Sequence, residues 1–165
     1  MSEGDPLENA PKLLNFSAAP DTTARMSPAK PPAFLRPELH LEWSIITTAH
    51  HNLLIVGTPA EISTMLQAVE RYFKQPLMRW HGQPGVALPE PEDGTLIVSE
   101  VTGLDSAQQA QMLEWMNRVR RDVQVVCTSS KPIFRRVLSG AFLSELYYRI
   151  NALRLDLSDP LDQIP

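Results

Sequence analysis

The stretch Gly94 to Met116, GTLIVSEVTGLDSAQQAQMLEWM, limits the folds open to this chain more than any other. Its apolar run Leu96-Ile97-Val98 ends on Ser99-Glu100, and a turn follows at Thr102-Gly103. Asp105, with Gln108 three positions on, has the spacing of a helix N-cap and its reciprocal partner. A continuous apolar strand feeding a capped helix is the pattern of a parallel strand buried on both faces. Sheets of that kind gather their chemistry at the carboxyl ends of the strands, where Ser99 and Glu100 stand.

The same grammar recurs along the chain. Leu53–Val56 reads as a strand, turned by Gly57-Thr58-Pro59 into a helix whose stripe is Ile62, Met65, Leu66, Val69, Tyr72 and Phe73. VQVVCTSS after Asp122 reads as a third strand, and Pro132 suits the first turn of a helix running to Gly140. A helix from Phe142 to Asn151 and a strand from Ala152 to Leu157 close the pattern. Residues 75–94, rich in Pro and Gly, read as an irregular crossover with Trp80 packed on the sheet rim. Leu39, Leu41, Trp43 and Ile45 alternate as an edge strand would, yet also fit a short amphipathic helix. The expectation is a three-layer α/β sandwich over residues 37–158, around a mainly parallel sheet of four to five strands. Seven of the 15 prolines fall within residues 1–37, so residues 1–36 are expected to form a disordered, solubilising tail. Residues 159–165 are expected to trail as a C-terminal tail.

Composition removes several function classes. With 165 residues, 43% apolar, the chain is long enough to bury a core, and a net charge of −4 argues against direct nucleic-acid binding. No run approaches the ~18 apolar residues of a membrane span. The N-terminus lacks a signal-peptide pattern, and the one cysteine, Cys127, sits inside an apolar run, so a reducing cytoplasm is expected. His50 and His51 are adjacent and point apart, with no further ligand at a metal-site spacing.

Residues 53–157 resemble the ATPase core of bacterial enhancer-binding proteins, the sigma-54-dependent AAA+ transcription activators. GTLIVSEVTGL is similar to that family's GTLFLDEIGEL, and GAFLSELYYRINALRL is similar to its F-R-x-D-L-Y-Y-R-L-N helix, through Leu146 to Asn151. The resemblance implies a P-loop at Gly57-Thr58-Pro59-Ala60-Glu61-Ile62-Ser63-Thr64, where only Gly57 and Thr64 fit. Ile62 replaces the second glycine, Ser63 the lysine, and Pro59 has no amide to offer phosphate. Ser99 stands in place of the Mg²⁺-orienting Asp, Ser130 in place of the sensor Asn, and Leu143 in place of one arginine finger.

These replacements imply a truncated, degenerate AAA+-like core, not an enzyme, with no ATP or Mg²⁺ and a vestigial nucleotide site of Gly57, Thr64 and Glu100. The GAFTGA loop has no counterpart, and the helical lid and helix-turn-helix are expected to be missing. The expected role is a regulatory or protein-interaction module, as a monomer or weak dimer. Its partner would be another protein, an active AAA+ relative among the candidates, met through Arg149 and Tyr148. Arg149 could act as a finger in trans or simply pair with Glu145 at i, i+4. Two alternatives stay open: a residual nucleotide binder, and a pseudo-receiver domain suggested by LIVSEVTGLD and VVCTSSKP, with Thr128 and Lys131 near the switch positions.

Overall fold

The computed structural model describes residues 27–83, 86–90, 92–118 and 123–158. Five strands form one sheet: β1 (Leu53–Val56), β2 (Leu77–Trp80), β3 (Gly94–Val98), β4 (Val123–Ser129) and β5 (Leu153–Asp156). Their order is β2-β3-β4-β1-β5, and every pairing is parallel. Five helices flank it: α1 (His40–Thr48), α2 (Pro59–Val69), α3 (Ser106–Arg118), α4 (Ile133–Leu138) and α5 (Ser144–Ile150).

Strand alternation splits the core in two. Leu53, Ile55, Ile97, Val126 and Leu155 face α1 and α2, meeting Trp43, Ile46, Ile62, Met65 and Val69. Leu54, Val56, Leu96, Val98, Val125 and Cys127 face the other layer, meeting Met112, Trp115, Ile133, Leu146 and Ile150. β3 and β4 are buried along their whole length, which is why their sequences are continuous apolar runs. The predicted three-layer sandwich is therefore the observed architecture. The N-cap of α3 also forms as expected: Asp105 Oδ1 accepts from the Gln108 amide at 2.8 Å, and Gln108 Oε1 accepts from the Asp105 amide at 2.9 Å.

The structure decides one open alternative and changes the reading of residues 75–94 and of the N-terminal tail. The ambiguous stretch before β1 is helical, because Trp43, Ile46 and Thr47 share one buried face, while Leu41 points to solvent. The 75–94 segment, expected as irregular, contains edge strand β2 in register with β3 from Leu77–Thr95 to Trp80–Val98. Trp80 ends that strand inside the core, its Nε1 donating to Val86 O at 3.1 Å. Most of the expected N-terminal tail lies outside the described residues, as do residues 159–165, but residues 27–36 are part of the domain. Trp43 Nε1 donates to Ala29 O at 2.7 Å, the Ala29 amide donates to Thr47 Oγ1, Leu35 is buried, and Arg36 donates to Asp156 O on the outer strand β5.

Topology removes the receiver alternative. A receiver places β1 between β2 and β3, in the order 2-1-3-4-5. Here β1 lies between β4 and β5.

Candidate functional site

The carboxyl ends of β1, β4 and β5 open into a crevice of about 530 Å³ lined by Gly57, Thr58, Glu61, Ser130, Phe134, Arg135, Arg154 and Asp156, among others. At its floor, β1 passes into α2 through Gly57 and Thr58 alone. Thr58 is the N-cap and Pro59 the first helical residue. The cap is closed in both directions: Glu61 Oε2 accepts from the Thr58 amide and hydroxyl at 2.8 Å each, and Thr58 Oγ1 accepts from the Glu61 amide at 3.4 Å. A carboxylate of the chain itself thus occupies the positive end of α2. The sequence carried this signal as Thr58 and Glu61 at capping-box spacing, but alignment to a P-loop hid it.

Gly57 has a local reason to be glycine. A Cβ there would stand 2.9 Å from Leu157 Cβ and 3.2 Å from Glu61 Oε2. The backbones of β1 and the residue after β5 close on each other, with the Leu157 amide donating to Val56 O at 2.7 Å. The space freed by the missing side chain is filled by Leu157 and Glu61.

The structure does not gather the three residues of the vestigial site. Thr64 lies a turn and a half into α2, exposed, its hydroxyl donating to Ala60 O at 3.0 Å. It borders a separate, mostly apolar cavity of about 350 Å³ with Phe34, Leu35, Arg36, Leu39, Met65 and Leu157. Because α2 starts at Pro59, the residues expected to wrap a phosphate are instead a helix, which carries Thr64 away from Gly57.

Glu100 reaches the crevice through Ser130. Its Oε2 accepts from the Ser130 amide at 3.2 Å and hydroxyl at 2.8 Å, while its own amide donates to Thr128 Oγ1 at 3.1 Å. Its backbone is left-handed, φ 51°, the one non-glycine in that region among the described residues. The hydroxyls at the end of β4 are likewise engaged locally: Ser129 Oγ donates to Lys131 O at 2.7 Å.

On α5, Arg149 does not pair with Glu145; its Nη1 donates to Met116 O at 3.3 Å, tying α5 to α3. Tyr148 is exposed, with its ring centroid 5.4 Å from that of buried Tyr147. Asn52 pins three elements at the opposite end of the sheet. Its Nδ2 donates to Arg149 O at 3.1 Å, its Oδ1 accepts from the Val125 amide at 3.0 Å, and its carbonyl accepts from the Leu153 amide. Among the described residues, no three His, Cys, Asp or Glu side chains cluster as metal ligands, and no helix is long and apolar enough to cross a membrane.

Five parallel strands with helices on both faces and a crevice at the strand ends define a P-loop NTPase-like α/β core. The family model described as the Sigma-54 interaction domain matches residues 44–160, and the chain belongs to that family. The HTH-type transcriptional regulatory protein TyrR of Citrobacter braakii is 30% identical over 83 residues, 44% of this chain and 16% of that protein. The chain thus matches about one sixth of the length of this curated relative. Among solved structures, NtrX from Brucella abortus in complex with ATP superposes with a TM-score of 0.61 at 14% identity, covering 73% of this chain and 34% of that one. The P-loop NTPase domain of an E. coli sigma-54 activator superposes with a TM-score of 0.50 at 16% identity, covering 67% of this chain and 89% of that domain.

Proposed function

We propose that this chain is a catalytically inactive Sigma-54-interaction-type domain, acting in transcription regulation as a regulatory or protein-interaction module without ATP or Mg²⁺. The observation that carries this reading is the closed Thr58–Glu61 cap. A phosphate-binding turn offers free backbone amides at a helix N-terminus, with a lysine beside them. Here the Thr58 amide is taken by a carboxylate, Pro59 has no amide hydrogen, and position 63 is serine. An incoming triphosphate would have to displace Glu61 and then sit beside its charge. Glu100 supports the same reading, since its carboxylate is engaged by Ser130 and Ser99 offers a hydroxyl in place of a metal-binding acid.

The partner is a protein, and the exposed surface around Tyr148 is the stronger candidate for meeting it. Arg149, held by Met116 O, serves the α3–α5 contact before any partner. A second reading, a residual nucleotide binder, rests on the crevice, where Arg135 and Arg154 line the same space as Gly57 and Thr58.

Calorimetric titration of the full chain with ATP and with ADP, each with Mg²⁺, separates the two. The expected result is no heat and no rise in melting temperature. Micromolar binding would overturn the inactive-domain reading and put the crevice arginines first for mutation.

A further inference from the structure

We infer that the α4–α5 face is a docking surface for an acidic, apolar segment of a protein partner; the inference rests on the interaction-module reading above. Phe134, Leu138, Leu143 and Tyr148 are 47%, 73%, 38% and 68% exposed, four large apolar side chains within fifteen residues. Scattered exposed hydrophobics are ordinary, whereas contiguous ones mark contact surfaces. These are joined. Phe134 and Leu138 lie four apart on one side of α4. The Phe134 ring is 6.0 Å from that of Tyr147, which is 5.4 Å from that of Tyr148, so an aromatic seam runs from α4 to α5.

Charge selects the partner. Residues 131–149 hold four cations and one acid, net +3, in a chain whose total is −4, so the remainder carries −7. Lys131 and Arg135 are exposed and form no ion pair among the described residues. An apolar seam flanked by unpaired cations complements an acidic segment with apolar anchors, the anchors supplying affinity and the acids orientation. Nucleic acid fits less well, because phosphates would leave the apolar centre uncovered. A symmetric dimer through this face would set Lys131 and Arg135 against the same cations of the second copy, since both copies present the same patch.

The test uses the full chain and three labelled sixteen-residue peptides, read by fluorescence anisotropy. One peptide carries leucines at i, i+3, i+4 and i+7 with glutamates elsewhere; the second replaces the glutamates with lysines, the third the leucines with serines. The acidic apolar peptide should bind at least tenfold more tightly than either control, and weaken as salt rises. L138E and R135E should each weaken it at least tenfold without moving the melting temperature, while L41E, on α1, should leave it unchanged. Equal binding of the three peptides, or indifference to L138E, would overturn the docking face. So would concentration-dependent self-association in sedimentation that L138E abolishes, because the occupant would then be a second copy. A chain that takes up no nucleotide yet fails these peptide tests keeps the inactive-domain reading and loses only this face.

Discussion

Thr58 and Glu61 close on each other at the start of α2, the Glu61 carboxylate receiving both the amide and the hydroxyl of Thr58 at 2.8 Å. A helix N-terminus attracts an anion through its unpaired amides and its dipole. In this chain the anion at that position is internal, the Glu61 carboxylate. Glu61→Ala should lower unfolding stability by about 1 kcal/mol, the usual loss for a broken N-cap interaction. Thr58→Ala should lose a similar amount, and the double variant less than the sum, because both removals break one reciprocal pair. Denaturant unfolding of the four proteins measures the coupling. Strict additivity would show that the two side chains act separately. Neither variant should gain ATP binding, since α2 still begins at Pro59.

Glu100 combines two opposed effects at one position. Its left-handed backbone, φ 51°, costs an L-residue roughly 1–2 kcal/mol, while its carboxylate bonds to Ser130 join the end of β3 to the end of β4. Glu100→Ala keeps the strain and loses the bonds, so it should destabilise by about 1–2 kcal/mol. Glu100→Gly loses the same bonds but relieves the strain, and should be more stable than the alanine variant by about 1 kcal/mol. Equal stability of the two would mean the backbone leaves the left-handed region once the carboxylate is gone.

The segment before α1 makes a third test. Leu35 is buried, and Trp43 Nε1 bonds Ala29 O at 2.7 Å. Deleting residues 1–36 removes a buried leucine, worth about 2–3 kcal/mol, and uncovers Trp43. The truncated chain should therefore melt several degrees lower than the full chain. An unchanged transition would show that residues 27–36 contribute nothing to the fold. Trp43→Phe in the full chain should also destabilise, by about 2 kcal/mol, because it removes the Ala29 bond and leaves a cavity where the larger buried ring packed.

Much of this architecture was legible in the sequence wherever burial imposed a strict pattern. β3 and β4 are central strands, so Leu96-Ile97-Val98 and Val125-Val126-Cys127 had to be apolar on both faces. Asp105 and Gln108 had to recur three apart to cap α3. Legibility failed where a second pattern fitted as well. Leu39, Leu41, Trp43 and Ile45 alternate like a strand, but Leu41 faces solvent and the helical trio Trp43, Ile46 and Thr47 is what packs. β2 leaves a weaker signal because an edge strand need bury only part of itself: Leu77 and Met78 are half-buried and Arg79 is exposed, among prolines and glycines. At the candidate site, Gly57 and Thr64 matched a motif by position, while the contacts that determine the turn are Thr58–Glu61 and Gly57–Leu157. Spacing along a chain does not show whether a loop or a helix spans it. A capping box does.

Cys127 offers a test of core rigidity with a definite sign. It is fully buried between β1 and β3, and burial, which disfavours the thiolate, pushes its pKa far above the ordinary thiol value. The folded pKa lies above the unfolded one, so the stability linked to this thiol is intact below about pH 8.5 and is lost as pH rises further. Above that point the unfolded chain releases a proton that the folded chain retains, a loss of about 1.4 kcal/mol per pH unit. Other groups titrate in the same range, so the informative quantity is the difference between the natural chain and Cys127→Ala. At pH 7.5 the alanine variant should be the less stable, because it leaves a small cavity in β4. At pH 9.5 the gap should shrink by about 1.4 kcal/mol, since only the natural chain loses the thiol contribution. A gap that stays constant would show that Cys127 ionises within the folded protein. Thiol reagents should then modify it in the native state at rates independent of unfolding. With the thiol held neutral, modification should instead follow the unfolding rate.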